Sequence, residues 1–136
     1  MSDELLDLAR SGSEAWNRGD GEWFEANLTE DAEVETLAGV FLDLEPVYRG
    51  IEGWQRFWEV FRSAWSSIDI TVERMELSSD CEVFAVVKFD GVGRESGVEA
   101  SLTFHQWLMF RDEKLARLRV ELPDQKELEL DPPTSE

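Results

Sequence analysis

Few side chains in this sequence have the chemistry of a catalyst. There is one histidine, His105, and one cysteine, Cys81, far apart in the chain, so a Cys/His nucleophilic pair and a His/Cys metal site are both poorly supported. Cys81 begins CEVFAVV, an apolar strand, where a lone thiol reads as a small core residue. There is no phosphate-binding glycine loop and no nucleophile elbow, so no cofactor and no metal are expected. Carboxylates are plentiful, with 20 glutamates among 31 acids. Glu33 and Glu35 flank Val34, and Glu73 and Glu76 lie along a later strand. Burial would raise the pKa of any of them and fit it to move a proton, although a solvated carboxylate is the default reading for each. Lys88, Asp90 and Arg94 bring both signs of charge to VVKFDGVGR, where the GVGRESG that follows reads as a turn on a solvated hairpin.

Rings are the other conspicuous resource. GWQRFWEVFRSAW, residues 53–65, carries three tryptophans and two phenylalanines. At 100° per residue Trp54, Phe57, Trp58, Phe61 and Trp65 fall within an arc of roughly 100° on one helix face. Gln55, Arg56, Glu59 and Arg62 lie off that stripe. Any helix lying on a sheet needs such a stripe, so core packing accounts for most of these rings.

The elements that would position these groups follow from periodicity. Residues 3–18 read as an amphipathic helix, with Leu5, Leu8, Ala9, Gly12, Ala15 and Trp16 at helical spacing. NRGDG breaks it, Asp20 caps a second short helix in GEWFEANL, and Thr29 to Asp31 are expected to close that helix. AEVETLAGVFLDL fits a strand followed by a loop or second strand, and PVYRG fits a short edge strand before the ring-rich helix. Four strands then read out with period two: IDITVERMEL, CEVFAVVKFDGVG, GVEASLTFHQWLMF and KLARLRVEL. This order is an α+β pattern, a cone-shaped curved antiparallel sheet wrapped around three early helices. One domain over residues 1–128 is expected, with an acidic, frayed tail at 129–136.

The totals exclude several classes. The 136 residues are enough to bury a core without disulfides or metals, and 42% are hydrophobic. A net charge of −18 repels phosphate backbones and anionic headgroups, which argues against nucleic-acid and membrane-surface partners. MSDELLDLAR carries acids where a signal peptide needs bases, and no long apolar run follows it, so a cytoplasmic location is expected.

AWNRGD, EDAEVE, VYRG, RESGVEASLTFHQWLMF and FRDEKLARLRVEL together resemble the nuclear transport factor 2-like superfamily, and within it the SnoaL-like polyketide cyclase group. The resemblance runs from about Leu5 to Leu128 and implies the cystatin-like α+β roll. The family normally has glycine where Glu113 stands, a departure in a hairpin rather than in the pocket. For activity the resemblance implies an isomerase, cyclase or hydrolase, or a non-catalytic module, since this fold hosts all of them. In the ketosteroid isomerases of the superfamily, a first-strand aspartate moves a proton beside a tyrosine and a protonated aspartic acid. Those positions correspond here to Thr36, to the neighbourhood of Gly12 and to Gln106, so the acid–base pair is gone while Gln106 keeps an amide that can donate. The epoxide hydrolase branch uses an Asp-Arg-Asp arrangement, for which Lys88, Asp90 and Arg94 are a superficial match.

The same match implies a hollow lined by Trp16, Val34, Thr36, Trp54, Trp58, Phe104, Gln106, Leu108 and Leu118, with Tyr48, Asp43 and Glu45 at its mouth. Trp54 and Trp58 are the two rings of the third helix expected nearest a ligand. Leu118, Val120 and Leu122 then point inward. His105, Trp107, Met109, Arg117 and Arg119 fall on the outer sheet face, where a homodimer contact is expected, with Arg117 and Arg119 pairing acids across it. The expected function is binding of a small apolar or aromatic molecule in the cone. The alternative is a carrier or dimerisation module whose cone is filled by its own tryptophans, or a partner-binding module like nuclear transport factor 2 itself.

Overall fold

A computed structural model describes residues 2–37 and 44–122. Helices α1 (Ser2–Arg18) and α2 (Gly21–Asn27) come first, followed by strands β1 (Leu28–Glu35) and β2 (Val47–Arg49) and helix α3 (Gly50–Ser63). Four strands complete the domain: β3 (Trp65–Ser79), β4 (Glu82–Gly93), β5 (Glu99–Arg111) and β6 (Lys114–Glu121). The six strands form one curved, unclosed sheet in the order β2-β1-β6-β5-β4-β3. Only β1 with β6 is parallel, and every other neighbouring pair is antiparallel. The α+β cone read from the sequence is the fold of the described residues. None of their helices is long and apolar enough to cross a membrane. The 129–136 tail lies outside the described residues.

Alternation along β4 defines the two faces of the sheet. Val83, Ala85, Val87 and Phe89 are buried towards the helices, while Phe84, Val86, Lys88 and Asp90 turn the other way. Their cross-strand partners share these faces: Leu108 opposite Val83, Gln106 opposite Ala85 and Phe104 opposite Val87. The apolar positions of β3, at Ile68, Ile70, Val72, Met75 and Leu77, slip by one residue after Val72. A bulge between Val72 and Arg74 absorbs that slip and returns Met75 and Leu77 to the inner face, opposite Ala85 and Val83.

Helix α1 covers β3, and its Ala9 and Ala15 are buried against the sheet. Its Asn17 reaches the free edge of β3, where Nδ2 donates to the Ile70 carbonyl at 2.9 Å and Oδ1 accepts the Ile70 N–H at 2.8 Å. Gly19 ends the helix region at φ 76°, a conformation glycine adopts cheaply. Asp20 then caps α2, accepting the Trp23 N–H at 3.1 Å and the Arg18 guanidinium at 3.0 Å. The Arg18 hydrogen bond first, and the Trp23 N–H second, hold its carboxyl below the usual range.

Three local expectations are corrected. Thr29 to Asp31 do not close α2, because the helix ends at Asn27 and the three residues already belong to β1. Cys81 is not a core residue: it sits exposed in the turn between β3 and β4, and β4 begins one residue later. Leu122 follows the end of β6 and is exposed rather than inward.

The β5–β6 hairpin turns through Asp112 and Glu113 at φ 54° and 64°. Two successive positive φ values are the signature of a type I′ turn, which glycine adopts without the Cβ penalty. The departure from glycine noted at Glu113 is therefore a local cost of the hairpin. Glu113→Gly is expected to raise stability by about 1 kcal/mol, read as a higher urea midpoint at unchanged m-value.

Candidate functional site

Between the helices and the concave face of the sheet lies a cavity of about 120 Å³. Its floor is the inner row of strand residues: Val34 and Thr36 from β1 and just beyond it, Phe104, Gln106 and Leu108 from β5, and Leu118 and Val120 from β6. Its roof is aromatic, with Trp16 of α1, Trp23 and Phe24 of α2, and Trp54, Phe57 and Phe61 of α3. The Trp16 ring meets Phe24, Phe57, Trp58 and Phe61 with centroids 6.3, 6.1, 5.2 and 5.6 Å away. Arg62 secures this cluster from outside. Its guanidinium lies 4.6 Å from the Trp58 centroid and 5.5 Å from that of Trp16, and donates to the Trp16 carbonyl at 3.1 Å. Partial desolvation pulls its pKa down.

Eight of the nine residues assigned to the lining from the sequence meet around this hollow: Trp16, Val34, Thr36, Trp54, Phe104, Gln106, Leu108 and Leu118. Trp58 and the mouth residue Tyr48 do not. Trp58 faces Gly21, Arg62 and the back of Trp16, outside the lining, because its place on α3 turns it towards the α1–α2 corner. Tyr48 is not at the mouth. It is 2% exposed beneath α3, with its hydroxyl accepting the Glu45 N–H at 3.1 Å and its backbone against Gly53. Glu45 is exposed, and its carbonyl accepts the Thr36 hydroxyl at 2.6 Å. Asp43 lies outside the described residues. Sequence reasoning missed Trp23 and Phe24: α2 read as a short cap-bounded helix, and nothing in seven residues showed which way its rings point.

Most of the polar groups on the lining are committed elsewhere. The Ser13 hydroxyl donates back to the Ala9 carbonyl at 3.4 Å, and Thr36 holds the Glu45 carbonyl. Glu35 is the only ionisable residue among the described lining residues, and its carboxylate accepts Arg117 Nε at 2.8 Å. Gln106 differs. It stands between Ala85 and Val120, and its amide makes no hydrogen bond among the described residues. The buried Trp16 Nε1–H likewise has no partner there. Buried polar groups are ordinarily paired, which makes the Trp16 N–H an exception in the core, while Gln106 is half-buried on the cavity wall.

The remaining candidates lie away from this hollow. Lys88 and Asp90 are on the outer face, where Asp90 accepts the Ser101 hydroxyl, and Arg94 is in the following turn, donating to the Ser63 and Trp65 carbonyls at 3.0 Å each. Glu33 pairs with Arg49, Glu76 pairs with Arg74, and Glu73 is exposed. No group of three or more His, Cys, Asp or Glu among the described residues is placed to hold a metal.

On the outer face Phe84, His105 and Trp107 form a ring cluster with centroids 5.2 to 6.2 Å apart, and Arg119 lies 4.5 Å over Trp107. Within the single chain, Arg117 and Arg119 each lie beside an acid. Arg117 holds Glu35, and Arg119 approaches Glu121 at 3.7 Å. The Glu35 hydrogen bond and charge push the Arg117 pKa further up.

With this geometry in hand, the likenesses to known proteins fall into place. The SnoaL-like domain family matches residues 9–118, and the chain belongs to that family. Among proteins with curated descriptions, none matches it significantly. A nuclear transport factor 2-like protein of unknown function from Burkholderia pseudomallei superposes with a TM-score of 0.80 at 17% identity, over 94% of this chain and 95% of that one. TerC, crystallised with polyporic acid, gives 0.77 at 16% identity over 93% and 97%. SalBIII, an epoxide hydrolase/cyclase-like enzyme with a role in pyran ring formation in the polyether salinomycin, gives 0.76 at 13% identity over 91% and 93%. At these identities the likeness is one of fold.

Replacing the unpaired amide by a hydrocarbon of similar size removes a desolvation cost without removing a hydrogen bond. Gln106→Leu is expected to stabilise the protein by about 1 kcal/mol, measured by urea unfolding. An equal loss of stability would mean that the amide is holding the fold together.

Proposed function

We propose that this SnoaL-like domain binds one small, apolar, ring-sized molecule in the hollow beneath α1, α2 and α3. The observation that carries this reading is the Gln106 amide, without a hydrogen bond among the described residues, on a mostly apolar cavity wall. Size supports it as well. Drug-sized pockets occupy roughly 300–1,000 Å³, whereas an apolar cavity of about 150 Å³ accepts benzene. At about 120 Å³ the hollow matches the smaller case. The rings of the helices line the hollow from above, which supports a small ligand over a large one. Among the described lining residues no carboxylate or histidine is free to move a proton, which favours binding over general acid–base catalysis.

Titration with toluene, followed by amide resonances, tests the reading. Leu108 and Leu118 are expected to shift saturably, and Leu108→Trp, which fills the floor, is expected to abolish the shifts while the protein stays folded. Toluene that moves only surface resonances would overturn it.

A second observation supports a self-association role for the outer face. Phe84, His105, Trp107 and Met109 are half-buried there in a single chain, and Arg117 and Arg119 lie beside acids of that chain. In a protein of net charge −18 this leaves an aromatic patch of low charge suited to a second copy of itself. Sedimentation velocity is expected to show a dimer for the native protein and a monomer for Trp107→Glu. A native monomer at micromolar concentration would remove the proposal.

A further inference from the structure

Resting on the reading of the hollow as a ligand site, the packing of one wall limits the size of what can enter. Gly12 lines the hollow from the interior of α1, where glycine is a poor choice on helix propensity alone. Close approach accounts for it. A Cβ at that position would lie 3.2 Å from Cη2 and 3.3 Å from Cζ3 of Trp23, so bare backbone makes the seat on which the edge of this indole rests. The backbone of Trp23 is tied on both sides: its N–H donates to Asp20 at 3.1 Å, and its carbonyl accepts the Asn27 side chain at 2.7 Å. Its ring is held less than the other tryptophans of the roof. Trp16 is wedged among four rings and covered by Arg62, and Trp54 is buried. Trp23 is half-buried and meets one other described ring edge-on, that of Phe24 at 4.9 Å. We infer that Trp23, seated on Gly12, is the size-limiting wall of the hollow, admitting a single six-membered ring and excluding a fused pair.

Toluene and naphthalene, titrated against amide resonances, test this wall. Naphthalene is the more apolar of the two and would bind better wherever it fitted, so a preference for toluene reports exclusion by size. The native protein is expected to bind toluene about tenfold more tightly than naphthalene, with nuclear Overhauser contacts between toluene and Hη2 and Hζ3 of Trp23. Trp23→Leu keeps an apolar contact for Phe24 but shortens the wall, and is expected to reverse the preference to about tenfold in favour of naphthalene. Gly12→Ala suits the helix, adds a methyl group at the margin of the hollow, and is expected to weaken toluene binding about tenfold.

The outcomes are distinct. Naphthalene bound by the native protein as tightly as toluene overturns the size limit, as does folded Trp23→Leu that still prefers toluene. Unchanged toluene affinity in Gly12→Ala, or the absence of contacts from toluene to the Trp23 ring, removes this wall from the site while leaving the hollow as a ligand site. Those contacts are read in the native protein and do not depend on how either variant folds. Native protein that binds neither compound overturns the ligand-site reading and the size limit with it.

Discussion

The indole of Trp16 is the point at which the three helices meet. It touches Phe24 of α2 and Phe57, Trp58 and Phe61 of α3, while its own helix lies along β3. A curved sheet covered on one face by a single helical layer has a concave side that must be filled from above, and only large rings reach far enough to fill it. How deeply those rings descend sets how much space remains over the strands. Arg62 limits the descent by holding the α1 carbonyl at Trp16 and covering two of the rings.

The space left over is therefore a consequence of packing and not a separate structure added to it. Val34, Leu108 and Leu118 form an apolar floor, and Gln106 interrupts it with an amide that makes no hydrogen bond among the described residues. An apolar residue there would pack the same sheet at lower cost. Gln106 therefore places a polar group where packing alone would favour a hydrocarbon.

Much of the architecture was legible because periodicity survives in it. The stripe Trp54-Phe57-Phe61 marked the buried face of α3, and alternation around Gln106 placed Phe104, Leu108 and Leu118 on one side of β5 and β6. Alternation also put His105 and Trp107 on the other. What failed was local or three-dimensional. Cys81 lies one residue before its strand begins, so an apolar neighbourhood in the chain misled about burial. Tyr48 read as a rim residue because a short edge strand carries no periodic signal, yet close approach to Gly53 buries it under α3. Trp58 shares a stripe with Trp54 but meets Arg62 and Gly21, which no one-dimensional pattern could place beside it. That the Trp16 N–H has no partner among the described residues is equally invisible in sequence, being a property of what surrounds the atom.

Asn17 has a bearing on how this sheet ends. Strand β3 is the outermost of six and would ordinarily present a row of unused backbone donors and acceptors to any passing strand. The Asn17 amide offers one donor and one acceptor to a single residue, Ile70, as the backbone of a neighbouring strand would. A helix side chain thus stands in for a seventh strand at that position, closing the edge to register-matched addition without lengthening the sheet. For a chain so rich in rings and β-branched residues, that one carboxamide is a guard against association through the wrong surface.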